Sequence, residues 1–217
     1  MELKAMEDLL LQELTELYGA EQQIEKALPK MAKAAHDDKL RLAFETHLKQ
    51  TRNHVERLKR IFKMLNREPE ADDCAPIASI IKQGDQLIAE KHMESSILDA
   101  ALISAGQKVE HFEIALYGTA HSHARLLGYL KVSELLRDTL REEEQTDELL
   151  TQLAKKRVNL AAAKAPFSEA RTAPRGTEQN GGWGKAALVA VGIGAAATLL
   201  YTQRSASEMS ETRGSDY

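Results

Sequence analysis

A chain of 217 residues with 43 % hydrophobic content can bury a real core and hold one ordinary domain with chain to spare. Aromatics are only 5 %, and Ala, Leu, Glu, Lys and Gln dominate up to about residue 165, the usage of an all-α protein of long helices. Net charge is −4 with acidic and basic residues interleaved, so no basic stripe recommends nucleic acid as a partner, and the single cysteine, Cys74, excludes an intramolecular disulfide framework.

The opening MELKAMEDLL mixes acids with its apolar residues and lacks a long apolar core, so it is not a secretory signal, and a cytoplasmic location is expected. Helical periodicity then runs from Leu3 to Ala35 (helix A), with Leu10, Leu14, Leu17, Ile24, Leu28 and Met31 on one stripe. Pro29 lies inside it and predicts a kink or local break near residues 26 to 29. Asp37 or Asp38 is positioned to cap helix B, Leu40 to Leu65, whose stripe is Phe44, Leu48, Thr51, Val55, Leu58, Phe62 and Leu65. NREPEADDCAP ends it, leaving Cys74 as a bystander thiol in a loop that suits a reducing compartment, and a short helix over Pro76 to Glu90 follows.

Helix C opens at SSILD, where Ser96 and Asp99 have capping-box spacing, and runs to Leu127 before Gly128. Its stripe is Leu98, Leu102, Val109, Leu116 and Ala120. Helix D takes Tyr129 to Leu160, with Val132, Leu136, Leu140, Leu150 and Ala154 on one face. Four long helices with a long B–C connection predict a four-helix bundle with a crossover over residues 1–160. Residues 161–184 read as a flexible linker, 185–204 as an apolar helix and 205–217 as a disordered polar tail. The uncharged run Ala186 to Tyr201, flanked by Trp183, Lys185 and Arg204, rises about 24 Å as a helix, short of the roughly 30 Å of a bilayer core. Membrane contact and packing on itself or another subunit stay open as its roles.

Each long helix also carries an ionisable group on its inward face. Glu21 sits mid-stripe on helix A. Glu113 lies between Val109 and Leu116, with Glu110 on its flank; Glu143 and Asp147 align with Leu136, Leu140 and Leu150, with Glu144 at the edge; His47 and, further along the same flank, His54 border the helix B stripe. Any one such Glu ordinarily snorkels to water, and any one such His is ordinarily a satisfied flank residue. The same holds for His54, His111, His121 and His123, the last two in a solvated final turn of helix C. Four helices doing this together call for another solution. Buried carboxylates must be neutralised, paired or bound to cations, and two divalent ions, iron or manganese, would balance them, with ligands from facing helices.

The stretches ELYGAEQQIEKALPKMAKAA, FETHLKQTRNHVERL, DAALISAGQKVEHFEIALYGTA and LREEEQTDELLTQLA resemble the YciF-type (DUF892) branch of the ferritin-like superfamily. QKVEHFEIALYGT is the most specific phrase, and the resemblance covers about residues 5 to 160. It implies a ferritin-like antiparallel bundle, commonly a homodimer, with a di-iron or di-manganese site, and points at Glu21, Glu110, Glu113, Glu143, Glu144 and Asp147. The sequence departs from the superfamily's paired Glu-x-x-His: helix D offers Glu144-x-x-Asp147, helix B has Thr51 before His54, and Lys49 and Gln50 stand where relatives tend to carry acids. One ion, two held asymmetrically, or none with protonated acids remain open.

Two functions compete. One is a dinuclear metal protein handling dioxygen, peroxide or iron, with Tyr18 and Tyr117 either near the site or packed in the core. The other is a non-catalytic helical scaffold attached through its C-terminal tail.

Overall fold

The computed structural model describes residues 3–165, and these form helices joined by loops, without strands among the described residues. Helix α1 spans Met6–Ala34, α2 Asp38–Met64, α3 Ala75–Ala89, α4 Ser95–Leu126 and α5 Leu130–Leu153. A π-helical turn, Ala154–Val158, and the short α6, Asn159–Ala162, complete the described chain. The expected linker, apolar helix and polar tail beyond residue 165 lie outside the described residues. Among the described residues no helix is long and apolar enough to cross a membrane.

The boundaries have local causes. Asp37 caps α2, its carboxylate accepting the backbone N–H groups of Lys39 and Leu40 at 2.9 and 3.1 Å. Gly128, at φ +80°, makes the α4–α5 turn in a conformation that side chains resist. Helix α1 passes through Pro29 without a break. Pro29 is exposed, so the ring and the carbonyl deprived of its partner lie on the wet side of the helix. Helix D, Tyr129 to Leu160 in the sequence, is helical over that length but not uniformly α-helical. It turns π-helical after Leu153, a change of register that buries both Ala154 and Val158.

Helix α4 is capped differently from the expectation. Glu94, not Ser96, accepts the first free N–H groups, those of Ser96 and Ile97. Asp99 is buried and turns the other way, its two oxygens each accepting a backbone N–H, from His36 and Asp37, at 2.8 Å. It thereby ties the α1–α2 turn to α4. Asp99→Ala should strand both donors and lower stability by about 2–4 kcal/mol, measured by chemical denaturation. The final turn of α4 is likewise not merely solvated. His123 Nδ1 lies 2.9 Å from Glu13 Oε2 on α1, and His121 Nδ1 lies 2.9 Å from the Ser133 carbonyl on α5.

Cross-helix partners give the topology. Glu21 meets His54 and Glu25 meets Arg52, so α1 and α2 are antiparallel. Glu21 also meets Tyr117 while Glu13 meets His123, so α1 and α4 are antiparallel too. The same reasoning pairs α5 with α2 through His54–Glu142 and Arg57–Thr139, and with α4 through Gln107–Thr151 and His121–Ser133. Helices α2 and α4 therefore run parallel on a diagonal, which only a long connection can achieve; α3 lies in that connection and packs on α1 and α4. Inside are two apolar clusters. One holds Leu10, Leu14, Leu17, Leu58, Phe62 and Leu136; the other holds Ile24, Leu28, Phe44, Leu102 and Leu150, with Cys74 and Ile77 from the α3 segment. Cys74 is buried, its sulfur 3.8 Å from Glu16 Oε1.

Candidate metal centre

Between the two apolar clusters lies a polar layer. In α1, Glu21 separates Leu17 from Ile24; in α4, Glu110 and Glu113 separate Leu102 from Tyr117; in α5, Glu143 separates Leu136 from Leu150; in α2, His47, Thr51 and His54 occupy the equivalent level. None of these seven polar residues is more than 2 % exposed. The level is reached because each helix keeps its stripe period across it, so a polar residue replacing an apolar one there has no route to water.

The donor atoms form two groups. His47, Glu110, Glu113 and Glu143 each offer one ligand atom, all within 4.8 Å of one another, and Glu21, His54 and Glu143 do the same. Glu143 belongs to both: its Oε2 lies 3.7 Å from His47 Nε2 and its Oε1 lies 2.8 Å from His54 Nδ1. His47 Nε2 is also 3.4 Å from Glu110 Oε1, and His54 Nδ1 is 3.2 Å from Glu21 Oε1. These atoms converge yet are not aligned as hydrogen bonds. Glu21 Oε2, Glu110 Oε2, both oxygens of Glu113, both of Glu143, His47 Nε2, His54 Nδ1 and Thr51 Oγ1 are buried without a hydrogen-bond partner. Buried polar atoms are ordinarily satisfied. So many orphans in one layer, all lone-pair donors or groups able to become so, fit divalent cations coordinated by mixed imidazole and carboxylate.

Around this layer the remaining polar atoms are partnered. Tyr117 donates to Glu21 Oε1 at 2.6 Å. His54 Nε2 lies 2.6 Å from Glu142 Oε2, and Arg57 donates to both Glu142 oxygens at 3.0 and 3.2 Å. His47 Nδ1 lies 3.3 Å from Thr146 Oγ1. Each histidine thus has its outer nitrogen engaged, leaving the inner one facing the carboxylates, the arrangement that orients a metal-binding imidazole.

The electrostatics of the bare layer show how badly it needs compensation. Burial, reinforced by neighbouring carboxylates, pushes Glu110 and Glu113 well above the usual range, and burial also raises Glu21. Burial opposes the charge on His54, but Glu21, Glu142 and Glu143 outweigh it and push the imidazole up to about 12. Burial likewise opposes charge on Glu143, yet His54 and His47 hold it below the usual range, while His47 is lowered by its burial. Outside the layer, the hydrogen bonds from His54 and then Arg57 hold Glu142 at about 2.

A pH dependence follows. Glu142 and Glu143, lowered on folding, stabilise above about pH 4.5 and lose that contribution as pH falls. The raised acids and the raised His54 act oppositely: their stabilisation is complete below about 4.5 and 6.5 respectively and is lost as pH rises. The metal-free chain is therefore expected to be most stable on the acid side of neutrality. Cation binding requires deprotonated carboxylates and neutral imidazoles, so the gap between melting temperatures with and without metal should widen from about pH 5 to about pH 8. Thermal melts across that range check it.

Of the sequence-derived ligands, the structure brings together Glu21, His47, Glu110, Glu113 and Glu143. It does not bring in Glu144, which is exposed, or Asp147, whose half-buried carboxylate accepts from Gln107 at 3.2 Å and faces His111 at 3.6 Å. Glu144 is rotated about 100° from Glu143, and Asp147 about 40° past it, enough to reach the margin of the layer. His54, on the flank of its stripe in the sequence, is fully buried and central. Its spacing of seven from His47, two turns on one face, was the available signal. Lys49 is exposed and Gln50 half-buried, so α2 presents His47, Thr51 and His54 inward rather than acids.

The comparisons agree with this architecture. The chain is 40 % identical over 163 residues to Protein YciF of Escherichia coli (strain K12), an alignment covering 75 % of this chain and 98 % of the relative. The crystal structure of the E. coli stress protein YciF matches with a TM-score of 0.69 at 40 % identity, covering 72 % of this chain and 99 % of that one. YcfI of Rhodopseudomonas palustris, described as a putative structural protein, matches with a TM-score of 0.67 at 39 % identity, covering 69 % of this chain and 95 % of that one. A Xanthomonas campestris protein, XCC3681, shares the fold at 0.58 with 19 % identity, covering 73 % and 95 %. The family described as domain of unknown function DUF892 matches residues 5–163. With that family matching residues 5–163 and a relative 40 % identical over 163 residues, this helical chain belongs to the DUF892 family.

Proposed function

We propose that this protein is a ferritin-like bundle that binds two divalent iron or manganese ions and serves in the handling of oxygen, peroxide or iron under stress. The observation that carries the reading is the set of orphaned carboxylate and imidazole atoms in a layer sealed by apolar clusters on both sides. Four carboxylates, Glu21, Glu110, Glu113 and Glu143, formally match the charge of two divalent ions, and Glu143 is common to both donor groups. The description of the E. coli relative as a stress protein supports the physiological half of the proposal.

When bound, such metals exchange electrons with a small oxidant. The chain's own residues do the rest. His47, Glu110, Glu113 and Glu143 would hold one ion, and Glu21, His54 and Glu143 the other. Glu142, fixed by Arg57, keeps His54 turned inward, and Tyr117 holds one oxygen of Glu21 while leaving the other free. Leu17, Leu58 and Leu136 on one side and Ile24, Phe44 and Leu150 on the other exclude water from the layer.

Elemental analysis of protein purified without added metal tests the proposal. Close to two equivalents of iron or manganese are expected, lost when Glu21 and Glu113 become Ala. Protein that is metal-free as isolated, with a melting temperature unmoved by either ion, would overturn it and favour the scaffold function.

A further inference from the structure

Beside the polar layer, between α1, α3 and α4, lies a pocket of about 30 Å³. Its lining is apolar except at two points. Asp85, on the outer side, is half-exposed and ion-paired with Lys30 of α1 at 3.0 Å. Glu110, on the inner side, is 2 % exposed and has an orphaned Oε2. The pocket therefore begins at a surface ion pair and ends on a carboxylate of the candidate metal centre.

Gly84 of α3 is part of the wall. It is buried in the middle of a helix, where glycine costs about 0.5–1 kcal/mol relative to alanine. Close packing does not require it, because a Cβ built there meets nothing within 4 Å. Opposite, Gly106 of α4 also lines the pocket, and there a Cβ would already press on Leu150 Cδ1 at 3.2 Å. The open space thus lies against α3, and the missing side chain at Gly84 is what keeps it open.

We propose that this pocket admits dioxygen to the metal centre, and that dioxygen rather than hydrogen peroxide is the oxidant for which the chain is shaped; the proposal rests on the metal-centre reading above. Size and polarity select the ligand. A single water needs about 10–15 Å³ measured this way, whereas a cavity of about 150 Å³ is what holds benzene. The pocket thus suits a molecule of two heavy atoms and is too small for a ring or a fatty chain. Hydrogen peroxide brings hydroxyl groups that find no partner between Asp85 at the mouth and Glu110 at the inner end, where the wall is Ile24, Leu28, Phe44, Ile81 and Val109, and their desolvation there is costly. Dioxygen forfeits no hydrogen bonds on entering.

The test uses the full chain in two states. In the metal-free protein, xenon serves as the apolar probe, and methyl NMR under xenon pressure should shift Ile24, Leu28 and Val109. Gly84→Leu, which projects a side chain into the space, should abolish those shifts; Gly84→Ala, the milder variant, should weaken them. Both replace glycine with better helix formers, so melting temperatures at or above the parent's are expected. In the iron-loaded protein, Gly84→Leu should keep the parent's metal content, slow oxidation of the ferrous form by dioxygen about tenfold and leave its oxidation by hydrogen peroxide unchanged. Absence of xenon shifts in a chain that binds metal would overturn the pocket alone, as would equal slowing by both oxidants or by neither. Xenon uptake in a chain that takes up no metal overturns the metal centre and, with it, the pocket's role.

Discussion

Glu143→Ala is expected to abolish binding of both metal ions, whereas His47→Ala is expected to leave one. The difference rests on geometry: Glu143 contributes to both donor groups, and His47 to only one, leaving Glu21, His54 and Glu143 in place. Elemental analysis reads the stoichiometry, and thermal melts read the energetics. A ligand at about a hundredfold over its dissociation constant stabilises the folded chain by about 2.7 kcal/mol, which in a domain of this size raises the melting temperature by roughly 5–10 °C. The parent should show that shift, Glu143→Ala none, and His47→Ala an intermediate one. Equal losses from the two substitutions would mean that Glu143 does not serve both donor groups.

The second prediction concerns the metal-free chain, where two neighbouring substitutions should move stability in opposite directions. His54 carries the compensating positive charge of the bare layer, within 3.2 Å of Glu21, Glu142 and Glu143. Removing it by His54→Ala leaves buried carboxylates uncompensated, a loss of about 3–5 kcal/mol and roughly 10 °C or more in melting temperature. Glu113 has no such partner, both its oxygens being orphaned, and its carboxyl is held well above the usual range by burial. Glu113→Leu removes an unsatisfied polar group of similar size and should raise metal-free stability by about 1–3 kcal/mol. The same variant should lose the metal-induced shift. A gain in bare stability joined to loss of metal response is what separates a ligand from a structural residue; a Glu113→Leu variant that is simply destabilised would argue against the layer as described.

Glu21 was legible in the sequence because Leu17 and Ile24 bracket it on one stripe, and Glu143 because it aligns with Leu136 and Leu150; both are fully buried. Helix periodicity assigns each side chain an angle about its own axis. It says nothing about how far the helix is rotated against its neighbours, and residues near the edge of a stripe depend on that rotation. Two placements turned on it: Asp147, aligned with its stripe in the sequence, and His54, on the flank of its own. Asp147 ends at the margin with Gln107, while His54 turns fully inward, its outer nitrogen held by Glu142, which Arg57 fixes in turn.

The amino-acid sequence by itself determined the helical class, the approximate extent of the long helices, the long α2–α4 connection and the presence of acids on inward stripes, since all of these follow from local periodicity, capping and composition. Tertiary structure alone decided which donor atoms converge. It made Glu143 the shared carboxylate and His54 a central group, turned Asp99 from a cap into a clasp on the α1–α2 turn, and laid α3 so that Gly84 leaves space beside Glu110. Those outcomes depend on the relative rotation and spacing of helices far apart in the chain, which is set by the packing of whole faces and is not encoded in any one segment.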